Sequence, residues 1–282
     1  MKNNIFLNRT VLIATKHQKE TVIAPILENE MGVHCFTSDF FDTDSLGTFS
    51  GEILRKDNAL NTLRTKCELG FNNTNCDLVI ASEGSFGAHP TLFFASANEE
   101  LVMLKDFKND IEIIAREISL DTNFNGKIVF SEDELLEFAT LSHFPAHGII
   151  LKSTEINPLI IEKGIVSNKI LLEKYRELHK TFSSVFVETD MRAQFNPTRM
   201  KVIEKATLAL LKKIKNCCTR CETPGFDIIN TISGLPCRSC GSPTRSTLSH
   251  IYQCKKCEFK EEKIFPRGLQ FEEPTYCDYC NP

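Results

Sequence analysis

The chain has 282 residues, 41% hydrophobic and 25% charged, with a formal net charge of −4, ordinary values for a soluble protein of one large domain or two modest ones. No run of eighteen apolar residues occurs, and Met1 to Arg9 holds one lysine followed by asparagines, so no membrane span or secretory signal is expected and a reducing cytoplasm is the expected compartment. Mild acidity argues against a nucleic-acid coat or a membrane-surface protein, although local patches still count.

Thr10 to Thr15 is a short apolar run without polar alternation, as in a strand buried on both faces. Val22, Ile23, Ile26, Leu27 and Met31 then recur at helical spacing up to Gly32, with Pro25 as a conflict, and Val33 to Phe36 reads as a second strand. Strand, helix, strand is the signature of an α/β fold. A loop follows in which Asp39, Asp42, Asp44 and Glu52 lie close to Thr43, Thr48 and two glycines. Such carboxylates suit a hard cation shared with substrate phosphates, and equally suit helix caps and exposed turns. Arg55 to Leu69 is expected as a helix with Leu60, Leu63 and Cys67 inward and Arg64 and Lys66 nearer solvent.

Asp77 to Ala81 reads as another buried strand, delivering Ser82, Glu83 and Gly84 to its carboxyl end ahead of Ser85 and a Gly-x-x-Gly turn. Ligands bind at that edge in open α/β sheets, so Glu83 is a candidate metal ligand or general base, with His89 as a weaker neighbour. Glu100 to Lys105 and Ile111 to Ala115 are expected strands, Ser131 to Leu141 a helix opened by a Ser131/Glu134 capping box, and Gly148 to Lys152 and Ile156 to Val166 further strands. One mixed sheet with flanking helices, ending near residue 166, accounts for these elements. Residues 167–216 read as a helical connector, with Leu171, Tyr175, Leu178 and Phe182 on one helix face. Within it, Arg192 and Arg199 beside Glu188 and Asp190 either clamp phosphate or carboxylate oxygens or make salt bridges. From Pro197 an amphipathic helix sets Met200, Ile203, Leu210, Leu211 and Ile214 opposite Lys201, Lys205, Lys212 and Lys215.

The last quarter holds four Cys-x-x-Cys pairs: Cys218/Cys221, Cys237/Cys240, Cys254/Cys257 and Cys277/Cys280. A two-residue gap lets one tight turn point two sulfurs at one tetrahedral metal, so each pair is half a zinc site. Fifteen residues (222–236) separate the first two pairs and nineteen (258–276) the last two, both within the usual spacing of a four-cysteine site. Two consecutive sites are therefore expected in a double ribbon over 217–282, with cross-braced pairing of first with third as the alternative. A disulfide framework or redox chemistry fits a cytoplasmic chain with four such motifs in series less well. From Cys217 onward eight lysines and arginines balance eight aspartates and glutamates, and each four-thiolate zinc would add about −2, a poor match to a phosphate backbone.

Ile13-Ala14-Thr15-Lys16-His17, Phe41-Asp42-Thr43-Asp44, Ala81-Ser82-Glu83-Gly84-Ser85-Phe86-Gly87, Asp190-Met191-Arg192-Ala193 with Asn196-Pro197-Thr198-Arg199-Met200, and the terminal Tyr276-Cys277-Asp278-Tyr279-Cys280 together resemble a bacterial family of unknown function with a C-terminal double zinc ribbon. That resemblance covers nearly the whole chain and implies that the motifs belong together, without an activity. More distantly, Ala14-Thr15 with Lys16 or Lys19, and Glu83-Gly84 after a later strand, resemble the non-canonical purine nucleoside triphosphate pyrophosphatases. The chain departs from these in having His17 where they place asparagine and in lacking a Ser-His-Arg base-recognition motif.

Two functions are carried forward. The first is magnesium-dependent hydrolysis of a nucleotide or related phosphoester, with Glu83, Asp42, Asp44 and Lys16 catalytic and Thr15, Lys19, Gly84, Ser85, Arg192 and Arg199 binding a phosphorylated small molecule, while two zinc ions serve structure. The second is a non-enzymatic adaptor whose ribbons and lysine-faced helix bind protein or nucleic acid.

Overall fold

A computed structural model describes residues 4–38, 58–155 and 159–282. They form two compact units, Ile5–Leu210 and Leu211–Pro282, the latter joined by Asn4 from the start of the chain. The expectations placed on the 39–44 aspartates lie outside the described residues, as do the first three residues expected in the Arg55 to Leu69 helix and in the Ile156 to Val166 strand. Among the described residues no helix is long and apolar enough to cross a membrane.

In the first unit β1 (Thr10–Ala14) leads into α1 (Glu20–Met31), which runs through Pro25 and closes on left-handed Gly32 (φ 66°). β2 (His34–Phe36), α2 (Ala59–Thr74) and β3 (Leu78–Ala88) follow. β4 (Ser96–Asp106) and β5 (Ile111–Ser119) complete a sheet of order β2-β1-β3-β4-β5, parallel across its first three strands and antiparallel thereafter. The apolar runs in β1 and β3 are buried because α2 lays Leu63 and Cys67 over Leu12, Ala14, Val79, Ala81 and Met103. Gly70 lets that helix approach closely, since a Cβ there would lie 2.7 Å from Leu12 Cδ2.

Where a single sheet was expected, the unit contains two. β6 (Gly126–Val129), β7 (Ile149–Ser153), β8 (Ile161–Ile165) and β9 (Val185–Thr189) make a wholly antiparallel sheet of order β6-β9-β7-β8. The 167–216 stretch is thus more than a connector: β9 is an inner strand, and α4 (Asn168–Thr181) puts Leu171, Tyr175 and Leu178 into this sheet's core. α3 (Glu132–Leu141) supplies Leu135 and Phe138 to the same core. Its entry keeps half of the predicted capping box: Glu134 N–H donates to Ser131 Oγ, but the Glu134 carboxylate accepts from Phe130 N–H, one residue before the cap, instead of from Ser131 N–H.

α5 (Pro197–Lys215) buries Val202, Ile203, Ala206, Leu210, Leu211 and Ile214 and exposes Lys201, Lys205, Lys212 and Lys215. The second unit is built on three antiparallel strands, β10 (Asp227–Ser233), β11 (Thr247–Gln253) and β12 (Lys260–Ile264), which alternate with the four cysteine pairs.

Candidate metal centres and a buried polar cluster

The cysteine pairs share one local geometry. In each, the residue after the second cysteine (Glu222, Gly241, Glu258, Asn281) donates its N–H to the carbonyl of the first cysteine at 2.8–3.0 Å. Glu222, Gly241 and Glu258 adopt positive φ of 57°, 73° and 58°. That is a conformation side-chain-bearing residues adopt at a cost of roughly 1 kcal/mol or more, accepted where surrounding structure dictates it. The turn buries the first sulfur-bearing residue (Cys218, Cys237, Cys254, Cys277) and leaves the second at least partly exposed.

Two tetrads result: Cys218, Cys221, Cys254 and Cys257, and Cys237, Cys240, Cys277 and Cys280, the sulfurs of each lying within 4.8 Å of one another. First pairs with third and second with fourth, so the consecutive pairing expected from spacing is corrected to the cross-braced one. Strand parity is the cause. Two strands separate the first pair from the third, and antiparallel strands return the chain to the same end of the sheet after every second one. Sulfur separations of 3.7 Å (Cys218–Cys257), 3.6 Å (Cys221–Cys254), 3.9 Å (Cys237–Cys280) and 3.7 Å (Cys240–Cys277) are far beyond a disulfide's ~2.05 Å. They match the ~3.8 Å edge of a tetrahedron with metal–sulfur bonds of about 2.3 Å, the zinc–thiolate distance. Phe226, stacked with Tyr252 and Phe259, packs under the first tetrad and forms with it a small apolar core.

The Ile5–Leu210 unit carries a second concentration of chemistry around Ser82. β1 ends at Ala14, opposite Ala81, so the next residues of β3 have no parallel strand beside them. Two lysines come to that place: Lys19 Nζ, at the start of α1, and Lys66 Nζ, from α2, each donate to the Ser82 carbonyl at 3.5 Å. Lys19 also donates to Ser82 Oγ at 3.0 Å. Lys66, expected nearer solvent, is 7% exposed and paired with the Glu83 carboxylate.

Glu83 and Ser82 point to opposite sides of β3, and on the Ser82 side Gly84 is covered by Arg199 and Glu100. A Cβ at Gly84 would overlap Arg199 Nη2 and Glu100 Oε1. Arg199 and Glu100 are both fully buried, joined Nε to Oε1 at 2.7 Å, and Arg199 Nη1 donates to the Met191 carbonyl at 2.5 Å. Ser82, Glu83 and Gly84 lie within β3, which runs on to Ala88, rather than at its carboxyl end; it is β1 that stops.

Burial, reinforced by the positive charges of Arg199 and Lys66 and opposed by Glu100 and Glu83, pushes the Lys19 ammonium down to about 7. The cluster therefore counts three cationic side chains (Lys19, Lys66, Arg199) against two carboxylates (Glu83, Glu100) when Lys19 is protonated.

The remaining candidates are dispersed. Lys16 is exposed, Thr15 and Ser85 are half-buried. Arg192 pairs with Asp190 at 2.6 Å and lies 4.6 Å over the Phe195 ring. It lines a cleft of about 50 Å³ with Phe86, Phe124, Ile150, Glu188, Thr189 and Met191. His89 is turned inward on its own loop, accepting from Thr91 and Leu92 N–H. Sequence reasoning assigned no role to Ser82, Lys66 or Glu100. The signals available for them were a serine directly before Glu83 and a glutamate placed inside a strand otherwise read as buried.

Fold and thiol geometry together define an α/β protein carrying a cross-braced pair of four-cysteine clusters suited to holding metal ions. The chain belongs to a family described as a domain of unknown function (DUF6671), whose model matches residues 66–282 and so takes in both tetrads and most of the Ser82 cluster. No curated protein matches the chain.

Proposed function

We propose that the protein binds a phosphorylated small molecule beside Ser82, where β1 ends, and hydrolyses a phosphoester there, while two zinc ions hold the C-terminal ribbon together. The observation carrying this reading is the convergence of Lys19 and Lys66 on one backbone carbonyl, 3.5 Å from each. Lys66 is balanced by Glu83 and Arg199 by Glu100, so a protonated Lys19 leaves the cluster one positive charge in excess, and a phosphate supplies both negative charge and an acceptor for its Nζ donors. Magnesium enters with the substrate's phosphates, as that ion usually does, and the carboxylates proposed to hold it are Glu83, Asp42 and Asp44. Of these only Glu83 lies among the described residues, and there it faces Lys66. The zinc sites are closed, four thiolates each, with no open position for a reacting water.

The test is phosphate and pyrophosphate release from a panel of standard and deaminated nucleoside triphosphates and simple phosphomonoesters, with magnesium, comparing the zinc-loaded protein with Glu83→Gln and Lys66→Met. Release that both substitutions abolish supports the reading. Inert protein across the panel removes it. A second reading, an adaptor, draws on Tyr276 and Tyr279, 68% and 78% exposed beside Cys277 and Cys280. Aromatic side chains so placed suit contact with a protein partner.

A further inference from the structure

The phosphoester reading leaves the attacking group unnamed, and the cluster holds a candidate no motif singled out. We propose that Ser82 is the nucleophile and Lys19 its base, the two forming a serine–lysine dyad that passes through a phosphoserine intermediate. The proposal rests on the phosphoester reading for its substrate and on geometry for its residues. Lys19 Nζ and Ser82 Oγ are 3.0 Å apart, and both residues are buried, 5% and 2% exposed. That is the contact required between a nucleophile and the group that takes its proton.

The two lysines of the cluster are treated differently. Lys66 has a carboxylate, Glu83, to keep it charged. Among the described residues the hydrogen bonds of Lys19 go to a hydroxyl and a carbonyl, both of Ser82. Among the described residues its charged neighbours include Glu83 on β3, Glu100 on β4, Lys66 on α2 and Arg199 on α5. Glu100 is already engaged by Arg199 and Glu83 by Lys66. Desolvation, with no carboxylate of its own among the described residues, makes Lys19 a neutral amine above about pH 7, a pKa suited to general-base work near neutrality.

The step balances without an external oxidant or reductant. Ser82 Oγ attacks phosphorus while the bond from phosphorus to the leaving oxygen breaks, and the hydroxyl proton passes to Lys19 Nζ. The resulting ammonium returns that proton to the departing alkoxide. Water then attacks the phosphoserine, giving a proton to Lys19, which delivers it to Ser82 Oγ as inorganic phosphate leaves. On the Ser82 side of β3 the fixed cation is Arg199, paired with Glu100, while Lys66 stands on the Glu83 side and reaches the Ser82 carbonyl.

The experiment is covalent capture on the full-length, zinc-loaded chain with an alkyl fluorophosphonate, whose phosphorus–fluorine bond breaks as the Oγ–phosphorus bond forms, followed by peptide mass mapping. We expect one adduct on Ser82, with a labelling rate that climbs with pH and levels off above about 7. Label should be absent in Ser82→Ala and slowed about 100-fold or more in both Lys19→Met and Lys19→Arg, since general-base contributions run to roughly 10²–10⁴. Lys19→Arg keeps a cation but no base, so it separates proton transfer from mere charge; retained zinc and an unchanged circular dichroism spectrum verify the fold of each variant. Ser82 remaining unlabelled at pH 9 in folded protein overturns the dyad, as does a rate indifferent to Lys19. Labelling of Ser82 without turnover of any phosphoester removes the substrate reading and leaves the nucleophile standing. Phosphoester turnover that survives Ser82→Ala does the reverse.

Discussion

Cross-bracing can be tested by counting metals. In one variant the first and third pairs are replaced (Cys218, Cys221, Cys254 and Cys257, all to Ser); in the other, the first and second (Cys218, Cys221, Cys237 and Cys240, all to Ser). β11 spans seven residues, which at about 3.3 Å each places its two ends some 20 Å apart. No cysteine at one end can serve a metal at the other through bonds of about 2.3 Å. The first variant therefore loses the tetrad at one end whole and keeps the other whole, and one zinc per chain is expected. The second retains two cysteines at each end, and no tightly held zinc is expected. Each complete structural site contributes on the order of 10–16 kcal/mol of apparent binding free energy at neutral pH, so a dithiolate remnant falls far short. Zinc is counted by native mass spectrometry and by chromophoric chelator release after thiol modification. The reverse pattern, no zinc in the first variant and one in the second, would refute the parity argument and restore consecutive pairing.

Lys19 makes stability depend on pH in a defined direction. Its folded pKa is about 7 against roughly 10.4 for an unfolded lysine, so between those values the unfolded chain holds a proton the folded chain does not, and stability rises with pH. Relative to Lys19→Met, the wild type should gain roughly 1 kcal/mol per pH unit between pH 7.5 and 9.5 in urea unfolding; parallel profiles would contradict the assignment. Arg199→Met leaves Glu100 buried without its partner and should cost about 3–5 kcal/mol, much of it recovered by adding Glu100→Leu, which a double-mutant cycle measures. If the single and the double variant are equally unstable, the pair carries no such penalty. Gly84→Ala drives a methyl into the Arg199–Glu100 pair and should lower stability by about 1–3 kcal/mol, read as a fall in denaturation midpoint; an unchanged midpoint would mean that the pair moves aside freely.

What the sequence made legible was local. Apolar runs such as Thr10 to Thr15, the capping pattern at Ser131 and Glu134, and the eight cysteines of the pairs each announce themselves within a few residues. What it hid were partnerships across the chain. Lys66 looked solvent-facing because a lysine on a helix usually is, and its partner Glu83 belongs to the next strand; Glu100 meets Arg199 from 99 positions away. Likewise β9, an inner strand of the second sheet, follows a helix that looked like the start of a connector, so the sheet's middle comes after its apparent end. Metal pairing was misread from spacing, since gaps of fifteen and nineteen residues are those of a consecutive four-cysteine site and pointed away from the cross-braced tetrads found. The parity of the short strands between the pairs contained the answer, once Ile228-Ile229 and His250 to Gln253 are taken as antiparallel neighbours.

Cross-bracing also turns the making of this ribbon into a problem of timing. One tetrad runs from Cys218 to Cys257 and the other from Cys237 to Cys280, so the two spans overlap and neither is complete when the first two pairs have left the ribosome. At that moment Cys218, Cys221, Cys237 and Cys240 are four thiols with the chemistry to chelate one ion together. β10 has no strand partner to hold them apart, because β11 is still unmade and a lone strand does not persist in water. Metal arriving early would select the wrong quartet, and reaching the native one would then require ligand exchange at an occupied ion. If the tetrads take up metal, correct metallation favours a chain that stays empty until the hairpin of β10 and β11 closes.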